Sequence, residues 1–144
     1  MADSKPIWFS RPTVEEANRR GEQTMVDHLG IVITEIGPDF LRATMPVDDR
    51  TRQPHGILHG GASVALAETV GSMAAAYCVD LSTQYCVGLD INANHIRPVR
   101  DGVVTATARP LHLGRTTQVW ETIIRDERDR LVSIGRLTMA VLKR

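Results

Sequence analysis

The sequence predicts an α+β fold in which a curved antiparallel sheet of about six strands wraps around one long central helix. A helical pattern runs from His59 to Tyr77, and segments with strand character lie both before and after it. Nine of the residues from Gly60 to Tyr77 are Gly or Ala, so the backbone of this helix can approach its surroundings closely on several sides. Since a sheet must bury its apolar face against another layer, we expect it to curl around this helix.

The length of 144 residues is that of a single domain, residues 1–144, with one core of its own. Seventeen basic residues balance seventeen acidic ones, so the chain lacks the positive charge expected of a general nucleic-acid binder. No apolar run reaches the roughly 18 residues that a membrane span needs, and the first ten residues contain no apolar signal core. We therefore expect a soluble, cytoplasmic protein with neither nucleic acid nor membrane as a partner.

The N-terminal part predicts one helix followed by a hairpin. Thr13 to Asp27 has a capping residue and two acidic residues at its start, which is typical of a helix N-terminus. Gly30 begins a region of strand character, in which Ile31 to Glu35 and Phe40 to Val47 predict two strands. The intervening Gly37-Pro38-Asp39 is typical of a tight turn.

A loop from Asp48 to Ile57 leads into the long helix, and four further strands are predicted after it. In the first of these, Leu89, Ile91 and Ala93 alternate with polar residues, which predicts one buried face. Because the four strands follow one another in the chain, we expect antiparallel pairing between successive strands. They are Cys86 to His95, Val103 to Pro110, Thr116 to Asp126 and Leu131 to Leu142.

One carboxylate, Glu68, lies in the middle of this small-residue helix. An ionised carboxylate among apolar groups costs several kcal/mol unless it is paired or its pKa rises, and catalytic acids and bases often occupy such positions. A solvent-facing polar position on an amphipathic helix is the alternative, but the helix has little other polar character. Glu68 is therefore the leading candidate for a catalytic residue.

The start of the helix is a second candidate. Gly60 and Gly61 can present unpaired N–H groups at the positive end of the helix dipole, where an oxyanion would be stabilised, although two glycines also suit a tight turn. Glu68 comes eight residues after Gly60, about 12 Å along one helix, so the two cannot touch one carbonyl within a subunit. If both are catalytic, a two-fold dimer must bring Glu68 of one chain to Gly60 of the other. Ser72 lies four residues after Glu68, on the same helix face, and could orient water or the carboxylate.

Other chemistries have weak signals. His55 and His59 are spaced as two zinc ligands on a helix would be, but Gly56 argues against a helix there, so we expect no metal site. Cys78 and Cys86 form no CxxC pair, which favours two buried, reduced thiols. Ser63 has no GxSxG motif around it, and there is no GxGxxG motif or P-loop.

The chain resembles the hotdog-fold acyl-CoA thioesterases, in the branch of the 4-hydroxybenzoyl-CoA and 1,4-dihydroxy-2-naphthoyl-CoA thioesterases. Most of the chain from Gly30 onward takes part, and a His-Gly-Gly motif followed by a glutamate on the helix is fairly specific for this branch. The fold alone is less specific, because dehydratases share it. The segments that carry the resemblance are Ala43 to Val47, Leu58 to Ser63, Val87 to His95 and Pro110 to Gly114.

The resemblance implies a thioesterase reaction in which Glu68 is the nucleophile or general base and the Gly60 N–H of the neighbouring subunit polarises the thioester carbonyl. By the same resemblance, His59 and Gln53 assist near the carbonyl or the leaving thiolate, and Ser72 holds the hydrolytic water. Coenzyme A is then part of the substrate and product, and no separate cofactor is expected. The residues implied in binding it are Gly88, the segment His95, Ile96, Arg97 and Pro98, and the loop His112, Leu113, Gly114, Arg115, Thr116 and Thr117.

Arg97 and Arg115 could pair with the phosphates of coenzyme A, and Gly114 allows the backbone to approach a ligand closely. The alternative is that both arginines are exposed charges at strand ends that bind no ligand. Relatives in this family are often dimers that pair into tetramers, so the resemblance also implies a homotetramer. Two other functions stay open from the residues. One is a dehydratase of 3-hydroxyacyl thioesters, for which His59 could serve, and the other is a non-catalytic acyl-CoA binding protein.

Overall fold

The computed structural model describes residues 5–144, and it confirms the α+β class and the hotdog arrangement of a curved sheet around a central helix. Six antiparallel strands form one sheet in the order β1-β2-β4-β5-β6-β3. The elements are α1 Val14–Arg19, α2 Met25–His28, β1 Val32–Ile36, β2 Leu41–Pro46, α3 Gly60–Tyr77, β3 Gln84–His95, β4 Val103–Leu113, β5 Thr117–Arg125 and β6 Leu131–Lys143.

The predicted helix from Thr13 to Asp27 is two short helices instead of one. Thr13 caps α1 as expected, within a capping box that it forms with Glu16. The chain then breaks at Gln23, which has φ of 60°, and Thr24 caps a new helix. Since a positive φ is incompatible with a continuing right-handed helix, the single-helix prediction is wrong between these two caps.

The long helix α3 begins at Gly60, one residue after the predicted start at His59, which is its N-cap, and it ends at Tyr77 as the small-residue pattern predicts. It packs against five strands, β2 to β6, and buries Leu66, Val70 and Ala74 completely. A Cβ atom at Gly71 would lie only 2.6 Å from a methyl carbon of Leu137 on β6. The absence of a side chain there is therefore what allows the helix and the sheet to approach so closely.

The pairing of the last four strands differs from the prediction. β4, β5 and β6 pair in sequence order, but β3 pairs with β6 at the edge of the sheet, and β4 pairs with β2. Gly135 on β6 explains how β3 fits there, because a Cβ atom at this position would lie 2.0 Å from the backbone oxygen of Asn92. The buried alternation of β4, with Val104 and Ala106 facing the helix, continues the buried face of β2 instead.

The predicted alternation in β3 is also only partly correct. Ile91 and Ala93 are half-buried and face α3, but Leu89 has 62% of its surface exposed. A bulge between Gly88 and Asp90 shifts the register, so that Leu89 is the extra residue and leaves the buried face. A single inserted residue of this kind has no signature in a period-two pattern.

The two edge strands of the sheet, β1 and β3, differ in how far their outward surface is covered. At β1, the amide of Asn18 both donates to the backbone oxygen and accepts from the backbone N–H of Ile33, so the outward backbone groups at that position are occupied. At β3, by contrast, Tyr85, Val87 and Leu89 are all exposed. Long apolar edges of this kind are the ones at which a further strand can add.

The predictions about membrane spans and about the two cysteines can also be compared with the structure. No helix among residues 5–144 is both long and apolar enough to cross a membrane. Cys78 and Cys86 are free thiols but half-buried instead of buried. Burial, with a smaller contribution from Cys86, raises the pKa of Cys78 to about 12. The Cys78 thiol is therefore protonated, and unreactive as a nucleophile, at neutral pH.

We predict that Gly135→Ala lowers the free energy of unfolding by about 2 kcal/mol or more, because the new methyl group collides with the backbone of β3 and must push the edge strand away. Urea unfolding at fixed protein concentration measures this. Arg136→Lys is the matched control, at the next, exposed position of the same strand, and should change stability by less than about 0.5 kcal/mol. Equal stability of Gly135→Ala and the wild type would contradict the close approach of the two strands.

Candidate active site

The first turn of α3 leaves one backbone N–H free. The N–H of Gly61 donates to Nδ1 of His59 at 2.7 Å, and the N–H groups of Ala62 and Ser63 donate to the backbone oxygen of His59 at 3.0 and 3.1 Å. The N–H of Gly60 has no acceptor among residues 5–144. Gly60 therefore offers an unpaired donor at the positive end of an 18-residue helix, as the sequence predicted. The same prediction for Gly61 is wrong, because the ring of His59 accepts its N–H.

His59 is the N-cap of α3, and this role determines the tautomer of its neutral ring. Since its Nδ1 accepts a hydrogen bond from Gly61, that nitrogen carries no proton, and in the neutral ring the proton is on Nε2. The ring is exposed. His59 can therefore donate a hydrogen bond through Nε2 while Nδ1 is committed to the helix.

A cleft of about 410 Å³ opens at this end of the helix, and we call it the helix-start cleft. A Cβ atom at Gly60 would lie 2.7 Å from Nε2 of His95, so the imidazole of His95 packs directly against the Cα atom of Gly60. The side-chain oxygen of Gln53 accepts from the N–H of His55, which leaves the Gln53 amide nitrogen available to donate. The cleft is lined by Gln53, Ile57, Leu58, Gly60, Ser63, His95, Ile96, Arg97, Pro98 and Val132.

Glu68 lies in a second cleft, of about 450 Å³, which we call the Glu68 cleft. The carboxylate is half-buried, and the hydroxyl of Ser72 donates to its Oε1 at 3.3 Å, as their spacing on the helix predicts. Gly88 of β3 lies against the same oxygen, since a Cβ atom there would be 2.6 Å from it. The lining consists of Gly61, Val64, Ala65, Glu68, Gly88, Leu89, Asp90 and Ile91, with no Lys, Arg or His among them.

The two candidate catalytic groups thus lie in different clefts of one chain. Eight residues of helix separate Gly60 from Glu68, which corresponds to about 12 Å of rise. The sequence argument on their separation is confirmed in this respect. One carbonyl can meet both groups only if they come from different chains.

The residues implied in coenzyme A binding are also divided. His95 is aligned across β6 with Ile124 of β5, whereas Gly88 is aligned across β6 with Gln118. Ile124 and Gln118 are six residues apart on one strand, so these two rows of the sheet are roughly 20 Å apart. The segment His95, Ile96, Arg97 and Pro98 is at one end, and the loop His112, Leu113, Gly114, Arg115, Thr116 and Thr117 is at the other.

Gly88 is set apart from the other residues implied in coenzyme A binding, since its contact in the chain is with the Glu68 carboxylate. Arg97 and Arg115 are both exposed. Among residues 5–144, no three His, Cys, Asp or Glu side chains are grouped as metal ligands would be, and His55 is exposed in the loop before the helix.

Sequence reasoning missed two features of the site. His95 was expected only at the coenzyme A surface, but it also packs against Gly60 at the helix start. Ser63 was considered only as a nucleophile, but it lines the helix-start cleft. Its position three residues after Gly60, on the same helix face, is the signal that could have identified it.

Comparison with known proteins places this geometry in a family. The family model of the Thioesterase superfamily matches residues 55–133, a range that contains the helix residues of both clefts. A 1,4-dihydroxy-2-naphthoyl-CoA hydrolase from Escherichia coli is 52% identical over 94% of this chain and 99% of that protein. A proofreading thioesterase, EntH, from Cronobacter sakazakii is 52% identical over 94% of this chain and 98% of its own length. A crystal structure of a thioesterase from Haemophilus influenzae superposes with a TM-score of 0.93 at 52% identity, covering 95% of each chain.

We predict that His59→Ala lowers the free energy of unfolding by about 1 kcal/mol, because the Gly61 N–H loses its acceptor at the helix start. His59→Asn replaces the Nδ1 acceptor with a side-chain oxygen at the N-cap and should restore most of this stability. Thermal and urea unfolding of the two variants provide the measurement. If both variants unfold alike, the capping role assigned to the His59 ring is wrong.

Proposed function

The chain belongs to the thioesterase superfamily, and from this premise we propose that it hydrolyses acyl-CoA thioesters to a free acid and coenzyme A. We further propose that its preferred acyl groups are aromatic, of the benzoyl, hydroxybenzoyl or dihydroxynaphthoyl type, with medium-chain acyl groups as secondary substrates. The relative named for 1,4-dihydroxy-2-naphthoyl-CoA, at 52% identity over nearly its whole length, supports the aromatic preference.

The observation that carries this proposal is the environment of Glu68. Its carboxylate faces a cleft whose other lining side chains supply no cation, and Ser72 holds one of its oxygens. As a general base, Glu68 takes a proton from water while the water oxygen bonds to the thioester carbon. The C–S bond of the tetrahedral intermediate then breaks, and the proton passes to the departing sulfur. As a nucleophile, a Glu68 oxygen bonds to the thioester carbon, and the C–S bond breaks to release coenzyme A as the thiolate. Water then hydrolyses the resulting acyl anhydride to the free acid and the Glu68 carboxylate, and the proton released by water passes to the thiolate.

The groups at the helix start have complementary roles. The free N–H of Gly60 donates to the carbonyl oxygen as negative charge develops on it, and the helix dipole strengthens this interaction. The amide of Gln53 is available to donate into the same cleft. His59 can donate through Nε2 to the sulfur or the carbonyl, while its Nδ1 is committed to the helix.

We propose that the site forms between two chains that pair through the β3 edge. That edge is twelve residues long and exposes Tyr85, Val87 and Leu89, whereas the opposite edge is occupied at Ile33 by Asn18. Addition of β3 from a second copy would satisfy the unpaired backbone groups and cover the apolar side chains. A two-fold axis is the natural symmetry of such an antiparallel pair.

The contacts of β3 with α3 indicate the register of this pairing. Gly88 lies against Glu68, and His95 lies against Gly60. If Gly88 is opposite His95 of the partner subunit, the carboxylate of one chain comes to the free N–H of the other, and the same happens at the second site. Both members of the catalytic pair are then within reach of one thioester.

The same register would reunite the residues implied in coenzyme A binding. It aligns the row of Gly88 in one chain with the row of His95 in its partner. The loop from His112 to Thr117 lies beyond the first row, and the segment from His95 to Pro98 lies at the second. An extended coenzyme A molecule could then contact Arg97 of one chain and Arg115 of the partner subunit. Such dimers would pair further into a tetramer by the family resemblance, and a solution mass of one chain would contradict the shared site.

We predict that Glu68→Gln lowers kcat/KM for 4-hydroxybenzoyl-CoA by a factor on the order of 10³ or more, because the amide can neither accept the proton nor attack the carbonyl. Release of the coenzyme A thiol, followed with a disulfide reagent, measures the rate. Glu22→Gln, at an exposed position outside both clefts, should keep the wild-type rate. Full activity of Glu68→Gln would refute the catalytic assignment.

The same assay separates the two other functions. Formation of an unsaturated thioester from a 3-hydroxyacyl-CoA, with no thiol released, would replace hydrolysis with dehydration. Stoichiometric binding without turnover, across several acyl groups, would indicate an acyl-CoA binding protein.

A mixture of two inactive variants tests the shared site. Gly60→Val places a side chain against His95 and blocks the donor, while Glu68→Gln removes the base. A mixed dimer keeps one complete site, made from the intact Gly60 of one chain and the intact Glu68 of the other. After refolding together in equal amounts, we expect about a quarter of the wild-type activity. No recovery, from subunits shown by mass spectrometry to have exchanged, would mean that each site lies within one chain.

A further inference from the structure

A buried serine near the start of α3 has a hydroxyl without a partner. Ser63 has only 2% of its surface exposed, and no group of residues 5–144 hydrogen-bonds to its side chain. In this part of the chain the hydroxyl of Tyr77 is the one fully enclosed side-chain polar atom that lacks a partner. The Ser63 hydroxyl must therefore keep some of the small accessible area of its residue. Since Ser63 lines the helix-start cleft, the open side of the hydroxyl is this cleft.

The surroundings of that hydroxyl are mostly apolar. A nearly buried hydroxyl without a hydrogen bond is unfavourable, and most such groups in proteins are paired with protein, water or ligand. A bound molecule that is apolar except for one hydrogen-bonding substituent would pair it and fill the cleft at the same time. The apolar walls are formed by Ile57, Leu58, Ile96, Pro98 and Val132.

The position of Ser63 relative to Gly60 indicates how far from the thioester carbonyl it acts. The two residues are three apart on one helix and share a face, so they are roughly 5–6 Å apart. The Gly60 N–H is the donor that we assign to the thioester carbonyl. A group that reaches Ser63 is therefore a few bonds from the carbonyl. Placed on the acyl side, a hydroxyl on a flat ring is at a suitable distance.

We propose that Ser63 is a specificity-determining residue that hydrogen-bonds a hydroxyl substituent of the acyl group, so that hydroxylated aryl thioesters are preferred over unsubstituted ones. The proposal rests on the thioesterase function above and adds a residue that selects the substrate. An unsubstituted ring fits the same apolar walls but leaves the Ser63 hydroxyl unpaired. Selectivity arises from that difference.

The test compares benzoyl-CoA, 3-hydroxybenzoyl-CoA and 4-hydroxybenzoyl-CoA as substrates of the wild type and of Ser63→Ala. We expect the wild type to prefer at least one hydroxylated thioester, and the variant to lose about three- to tenfold of that preference in kcat/KM. Thr69→Val is the matched control on the same helix. Its hydroxyl already donates to the backbone oxygen of Ala65 at 2.7 Å and lies outside both clefts, so the preference should be unchanged.

Two results would overturn the proposal. If Ser63→Ala lowers kcat/KM equally on all three thioesters, Ser63 contacts the coenzyme A part or stabilises the helix itself. If the wild type shows no preference among the three thioesters, there is no selectivity that Ser63 could determine. Binding of the same thioesters to Glu68→Gln, with and without Ser63→Ala, gives a readout that does not depend on turnover. A wild type that binds with the expected selectivity but hydrolyses none of them would refute the proposed function and keep the role of Ser63. Ser63→Cys, compared by thermal unfolding, replaces Ser63→Ala if the latter does not fold.

Discussion

The close packing of the small-residue helix α3 against the edge strand β3 is the constraint on which the rest of the site depends. Gly88 allows the strand to reach the carboxylate of Glu68, and Gly60 allows the imidazole of His95 to reach the helix start. A larger residue at either glycine would place its Cβ atom within 2.7 Å of the Glu68 carboxylate or the His95 ring and would push that side chain away. The same strand is the open edge of the sheet, so the groups that we propose to act across two chains lie where a second chain can add.

Most local features of the fold could be predicted because they depend on local chemistry. The run of Gly and Ala defines both ends of α3, and the alternation of apolar residues identifies the strands to within a few positions. The failures have a common physical origin. The left-handed Gln23, the bulge at Leu89 and the pairing of β3 with β6 depend on a single backbone angle or on distant residues, and neither leaves a periodic trace.

The candidate site was predictable to a similar extent. Residues along one helix have a known geometry, so the contact of Ser72 with Glu68 and the separation of Glu68 from Gly60 followed from spacing alone. Contacts between the helix and the sheet did not follow. That His95 lies beside Gly60 depends on the register of β3 against β6, and that the Gly60 N–H is free depends on how His59 occupies the acceptors of the first turn.

The separation of the two clefts also has a chemical consequence. A carboxylate that must accept a proton or attack a carbonyl is hindered by a nearby Lys or Arg, because an ion pair stabilises its charged, unreacted form. A carbonyl, however, needs a strong donor to polarise it. In this chain the donor is the backbone N–H of Gly60 at the start of the helix, about 12 Å along the helix axis from Glu68. The residues that line the Glu68 cleft include no cationic side chain. A two-fold dimer would bring donor and carboxylate to opposite sides of one thioester, so that each acts on the substrate while neither neutralises the other.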